Sequence, residues 1–160
     1  MKSRIILVGP TCSGKNFLRQ KFVEKGFSHD VSYTTREPRA GEFDGIDYHF
    51  LTNDEFSHKY ENKHFYESIR YGNVAYGTGL LEWNARDIFI METKGVSSIT
   101  PSDRKNCLVI YINPPKSFRI NRMKNDRGWD KHKILERIKI DEENFKDFVD
   151  YDMILTNADF

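Results

Sequence analysis

The sequence predicts a three-layer α/β domain, a parallel sheet between helices, and two observations carry that expectation. Short apolar runs at Ile5–Val8, Ile88–Met91, Cys107–Ile112 and Met153–Leu155 lack period-two alternation, as do strands buried on both faces of a parallel sheet. Segments with apolar residues at helical spacing lie between them, and strands alternating with helices build such layers. A chain of 160 residues with 38% hydrophobic and 14% aromatic residues can fill one core, while 31% charge covers its outside. That balance excludes a disordered or collagen-like chain, and no apolar run approaches the ~18 residues of a membrane span.

The first run leads into a helix predicted over Lys15–Lys25, with Leu18 and Phe22 on one face and Gly26 as its stop. From about Thr34 to Tyr76 the rhythm breaks. Turn signals at Glu37-Pro38, Ala40-Gly41 and Asp44-Gly45 precede aromatic-rich extended pieces at Asp47–Leu51 and His64–Arg70, with one short helix near Asn53–Glu61. This interval reads as an insertion projecting from the sheet. After the third run, helices are predicted over Lys116–Lys124 and Asp130–Val149. The second carries Ile134, Ile138, Phe145 and Phe148 at helical spacing and has Asp130 as its cap.

Charge and cysteine content narrow the partners. A net charge of +1 gives no polyelectrolyte argument for nucleic-acid binding. The chain from Lys116 to Lys139 nevertheless holds nine Lys/Arg against three acids, and Asp141 to Asp152 reverses that to six acids against one lysine. Either an ordinary solvated helix face or a cationic flap over an anion has this pattern. Cys12 and Cys107 show neither CxxC spacing nor a disulfide framework, which favours a reducing, cytoplasmic compartment. The apolar run at the amino end is too short for a signal peptide. His29, His49, His58, His64 and His132 lack zinc-ligand spacing, Cys12 has no identifiable base, and Trp83 and Trp129 read as packing residues.

Gly9-Pro10-Thr11-Cys12-Ser13-Gly14-Lys15 is a G-x-x-x-x-G-K loop that directly follows a buried strand and opens a helix. The glycines let the backbone wrap phosphate oxygens, the helix amino end adds partial positive charge, and Lys15 adds a full one. The next residue, Asn16, stands where nucleotide-binding loops carry a Ser or Thr hydroxyl on Mg²⁺. An amide oxygen can coordinate that ion, from a longer side chain. Downstream, Ser32-Tyr33-Thr34-Thr35-Arg36-Glu37-Pro38-Arg39-Ala40-Gly41-Glu42 sets two arginines around a proline that restrains the turn and can aim both at one anion. Then follow Asp47-Tyr48-His49-Phe50, Phe65-Tyr66-Glu67 and Gly72-Asn73-Val74-Ala75-Tyr76-Gly77-Thr78.

In this order and spacing the set resembles the guanylate kinase family, from Ile5 to about Asn157. The resemblance implies an α/β, three-layer P-loop kinase with a parallel sheet, an inserted nucleotide-monophosphate-binding subdomain and a short lid. It divides the chain into a core of 1–33, 79–118 and 138–160, a GMP-binding insertion at 34–78 and a lid at 119–137. By matching positions, Gly9, Pro10, Thr11, Cys12, Ser13, Gly14, Lys15, Asn16 and Asn157 are implied to bind ATP. Ser32, Arg36, Arg39, Tyr48 and Tyr76 are implied to hold the acceptor phosphate, and Glu67, Thr78 and Glu92 to read its guanine. Lys15, Arg122, Arg127 and Arg137 are implied catalytic groups.

Two positions depart from the family pattern: Asn16, and Ile90, which replaces the first acid of a D-x-D-x-x-G element whose second acid is Glu92. The family's C-terminal helix has no counterpart before Phe160, so the donor-base pocket or sheet edge is expected to be less covered. The implied reaction is ATP-dependent phosphorylation of GMP or dGMP, with Mg²⁺ arriving on ATP and no nucleic-acid or membrane partner. A nucleoside monophosphate kinase of other base preference, and a non-catalytic module binding a phosphorylated protein, remain alternatives here. So do monomer and dimer.

Overall fold

A computed structural model describes residues 3–157; Met1, Lys2 and 158–160, the outer ends of the expected core, lie outside the described residues. Along the chain come β1 (Arg4–Val8), α1 (Lys15–Val23), β2 (Tyr33–Thr34), β3 (His49–Phe50), α2 (Asn53–Glu61), β4 (Phe65–Tyr71), β5 (Val74–Gly79) and α3 (Leu80–Ala85). They are followed by β6 (Ile88–Ile90), α4 (Thr93–Ser97), α5 (Pro101–Arg104), β7 (Cys107–Ile112), α6 (Lys116–Asn125), α7 (Lys131–Phe145) and β8 (Met153–Leu155). The residues group into two compact units, one made of the segments up to Phe27 and from Ile88 onward, the other of Ser28–Asp87.

The first unit holds a four-stranded sheet in the order β6-β1-β7-β8, parallel throughout. Burial explains the unalternating runs: Ile6, Leu7 and Val8 are fully enclosed, as are Val109 and Ile112 on the neighbouring strand. Leu18 and Phe22 of α1 pack on the cluster of Leu7, Ile88, Ile110 and Ile112, which is the face the sequence spacing predicts. Expected burial on both faces fails at β8. It is an edge strand, and Met153 and Ile154 stay 47% and 42% exposed.

Helix ends differ from the sequence expectation where tertiary contacts intervene. α1 stops two residues short of Lys25. Glu24 closes it and Gly26 turns the chain at φ 93°, which sets Phe27 edge-on to Phe22. Asp130 caps α7 as expected, accepting from the Lys133 N–H at 2.9 Å, but the helix ends at Phe145 rather than Val149. Phe145, Phe148 and Tyr151 all gather on Tyr111, each ring 5.4 Å away. The chain turns to bring Tyr151 there and to lead β8 alongside β7, and Val149 is left exposed on that turn. β6 likewise closes at Ile90 rather than Met91.

The second unit holds a separate sheet in the order β3-β2-β5-β4, with β4 and β5 forming an antiparallel hairpin through Gly72-Asn73. The expected extended pieces shrink to two residues at β3 and shift by one at β4. The helix expected at Asn53–Glu61 forms there, opened by a reciprocal capping pair of Thr52 and Glu55. Phe56 packs with Tyr33 and Ala75 to form this unit's core. Three short helices, α3, α4 and α5, have no counterpart in the sequence reading. Trp83 of α3 is buried and stacks flat on Tyr66 at 3.9 Å, a packing role as expected.

Candidate active site

The phosphate loop runs from the end of β1 into α1. Gly9 is required there by close approach, because a Cβ would lie 2.3 Å from the Ile112 carbonyl oxygen of β7. Cys12 and Gly14 take left-handed backbone, at φ 59° and 105°, which curls the loop over the amino end of α1. Cys12 packs at the margin of the cluster formed by Met123, Ile134 and Ile138, and Trp129 packs there too, as expected of it. Ser13 is buried, and its Oγ has no protein partner among the described residues. A buried orphan hydroxyl in a loop of this kind is a group that a phosphate oxygen can satisfy. The Lys15 ammonium donates to the carbonyls of Gly9 (2.5 Å) and Pro10 (3.1 Å). Burial pushes its pKa below the ordinary lysine range, while Glu92 and Asp141 oppose that shift.

Asp141 organises the rest of this unit's polar centre. Its carboxylate accepts from Thr11 N–H (3.0 Å), Thr11 Oγ1 (3.1 Å) and Arg119 (3.1 Å), and it pairs with Arg137 at 3.1 Å. Arg137 also donates to Thr11 Oγ1 at 2.5 Å, so loop, α6 and α7 meet on one carboxylate. Asp141 is 2% and Arg119 5% exposed. The sequence reading counted Asp141 only as one acid in a run, although its position four residues after Arg137 on a predicted helix was a usable signal.

The remaining arginines named from sequence are more open. Arg122 sits over Phe118 and 3.6 Å from Asp126, and Arg127 lies over Trp129 beside the Gly128 turn. Of the cationic run, then, Arg119 is tied into the interior, while Arg127 and the lysines lie on the surface. Asn16 is exposed on the first turn of α1 and Asn157 is exposed just beyond β8. Glu92 stands at the N-cap position of α4, just after β6 and in this same unit, without a side-chain capping bond. Among the described residues no three His, Cys, Asp or Glu side chains cluster as a metal site.

The second unit brings the other named residues into two groups. Arg36 lies over the Tyr48 ring at 5.5 Å, and Tyr48 faces Tyr76 at 6.3 Å between centroids. Glu42, unassigned from sequence, holds this corner. It accepts from Arg36 with both oxygens, at 3.0 and 2.9 Å, and from the Arg39 backbone N–H at 2.8 Å. Burial alone would raise the Glu42 pKa, but those donors bring it below the ordinary carboxylate range. In the other group, across the β4–β5 hairpin, Thr78 donates to Glu67 Oε1 at 2.8 Å. This bond steadies the carboxylate and turns the Thr78 proton toward it. Ser32 donates to Asp30, a second carboxylate the sequence reading passed over.

A parallel α/β sheet whose first strand feeds a glycine-lysine phosphate loop defines a P-loop nucleotide kinase. The chain belongs to the guanylate kinase family, whose model, described as "Guanylate kinase", matches residues 1–160. It is 33% identical to a guanylate kinase of Aster yellows witches'-broom phytoplasma (strain AYWB) over 163 aligned positions, covering 96% of this chain and 77% of that one. It is 31% identical to that of Latilactobacillus sakei subsp. sakei (strain 23K), over 83% of this chain and 70% of that one. In fold it is similar to the crystal structure of guanylate kinase from Anaplasma phagocytophilum, with TM-score 0.74 and 22% identity over 98% of this chain and 77% of that one.

Proposed function

We propose that this protein transfers the γ-phosphoryl group of ATP to the phosphate of GMP or dGMP, giving ADP and the nucleoside diphosphate. Family membership over the full chain, joined to a loop whose buried Ser13 hydroxyl asks for a polar ligand, carries the reading. A nucleotide monophosphate has a second pKa of about 6 and already offers an anionic oxygen, so the reaction needs no general base. What it needs is two polyanions held in line with their repulsion neutralised.

The residue roles are those that the family resemblance implies. Lys15 and the loop amides of Cys12 and Gly14, with Gly9, Pro10, Thr11 and Ser13 shaping the loop, hold the donor phosphates; Asn157 borders the donor base. Lys15 exchanges its two carbonyl partners for phosphate oxygens. Arg122, Arg127 and Arg137 supply charge to the transferring group from the lid, 119–137, and exclude water. Ser32, Arg36, Arg39, Tyr48 and Tyr76, in the insertion and at its edge, hold the acceptor phosphate. Glu67 accepts from guanine N1–H and its amino group, steadied by Thr78, with Glu92 as a further acceptor. Asn16 is the residue that would hold a Mg²⁺ arriving with ATP, and the ion would supply charge neutralisation at the donor phosphates. A cytoplasmic location, where ATP and GMP are available, suits this chemistry. No described helix is long and apolar enough to cross a membrane.

Glu67→Gln tests the base assignment. An amide donor then opposes guanine's donors, so acceptor KM rises and preference for guanine over adenine falls by roughly 1–3 kcal/mol. Steady-state kinetics with GMP and AMP read it, and an unchanged preference removes Glu67 from the pocket. Asn16→Ser tests the metal ligand. The compact hydroxyl lowers the magnesium concentration for half-maximal rate and raises kcat. Lower activity at every magnesium concentration shows instead that the amide is an adapted ligand.

A further inference from the structure

Asp30 precedes β2 and is 5% exposed. Its Oδ2 accepts the Ser32 hydroxyl proton, and its Oδ1 has no partner among the described residues. The groups facing it are Ser32 from its own segment, Glu67 on β4, and Glu82 and Arg86 on and just after α3. Tyr33 belongs to the same neighbourhood and donates to Glu82 at 3.3 Å, while the His29 ring meets the Asp30 backbone oxygen. A serine hydroxyl has one proton and two lone pairs. While Ser32 gives that proton to an ionised Asp30, it can present only lone pairs to an anion.

We propose that Asp30 is a positioning residue of the acceptor site that works in its protonated form, donating its own O–H to Ser32 Oγ so that Ser32 donates to the acceptor phosphate. The inference rests on the reading of Ser32 as an acceptor-phosphate residue. One proton enters from solvent onto the Asp30 carboxyl, the Asp30–Ser32 hydrogen bond reverses direction, the freed Ser32 proton forms a new hydrogen bond to the phosphate, and no covalent bond between heavy atoms changes. The surroundings favour that proton. Burial raises the Asp30 pKa to about 7, with Glu82 and Glu67 adding to the rise against the opposing Ser32 hydrogen bond and Arg86. A bound phosphate dianion adds a further negative charge and raises it more, so acceptor binding and Asp30 protonation are linked. Sign follows directly: binding is favoured below the Asp30 pKa and weakens as pH rises through it.

The test is proton uptake on GMP binding to the intact protein. Calorimetric titrations at pH 8, in two buffers of different ionisation enthalpy, measure it where GMP, with a second pKa of about 6, is already a dianion. The wild type is expected to take up most of one proton and Asp30→Asn none. In kinetics, the ratio of wild-type to Asp30→Asn KM for GMP climbs about tenfold from pH 7 to 8.5, because the competent fraction of the enzyme falls, while the kcat ratio stays flat. Absence of proton uptake by the wild type overturns the proposal, and needs no variant that might misfold. Ser32→Ala separates the two claims. If it weakens GMP binding and the wild type takes up no proton, the Asp30 proposal alone fails. If GMP binds Ser32→Ala as tightly as the wild type, the reading of Ser32 fails and the proposal with it.

Discussion

Lys15→Ala lowers kcat by roughly 10²–10³ and leaves the KM for GMP nearly unchanged. The size follows from where the charge sits. The ammonium is held by the Gly9 and Pro10 carbonyls, and burial lowers its pKa, so its charge is poorly screened by water. A donor in such a site interacts strongly with charge that develops on a transferring phosphoryl group, and interactions made only in the transition state appear in kcat. The variant still folds, since β1 and α1 are held by Leu7, Leu18 and Phe22 rather than by the lysine. A thermal melt beside the kinetics checks this. A near-native kcat would remove Lys15 from the donor site and favour a phosphate-binding module without catalysis.

Asp141→Ala is expected to be the most destabilising single change, by about 3–5 kcal/mol, lowering Tm by roughly 10 °C. It leaves Arg119, 5% exposed, as a buried charge without its carboxylate, and removes the acceptor of the Thr11 backbone amide. Breaking such a pair costs far more than the pair's net worth, because desolvation of the survivor is no longer offset. Arg137 loses its tether at the same time, so kcat falls further than stability alone accounts for. Asp141→Asn keeps one acceptor oxygen and should fall between. A melt within 1 °C of the parent for both variants would show that Asp141 does not hold loop, α6 and α7 together.

How much of this was legible in the sequence depended on whether a feature is local. The phosphate loop is written in consecutive residues, and the strand before it and helix after it are fixed by Ile6–Val8 burial and by the Leu18 and Phe22 spacing. The α2 capping pair is equally local. Asp141, Asp30 and Glu42 were passed over because their meaning lies in partners: Thr11 is 130 residues from Asp141, and only the fold brings them to 3.0 Å. Even Asp30, two residues from Ser32, acquires its character from burial among Glu67 and Glu82 on other elements. The end of α7 escaped for the same reason. Phe145 and Phe148 keep helical spacing, yet Tyr111 on β7 draws Tyr151 as well, which a continuing helix cannot supply. The short helices α4 and α5 contain Gly95 and begin at Pro101, so neither shows a periodic apolar stripe to read.

Glu67 and Thr78, joined at 2.8 Å across the hairpin, carry the claim that the acceptor is a guanine nucleotide. The most direct measurement is ADP release from ATP in the presence of GMP, dGMP, AMP, dTMP or CMP in turn. Guanine offers two donors to the Glu67 carboxylate, whereas adenine presents a bare lone pair at N1, so kcat/KM for GMP or dGMP should exceed that for AMP by at least about 10². Equal values for AMP and GMP, or no acceptor-dependent ADP release with any of the five, would contradict the account.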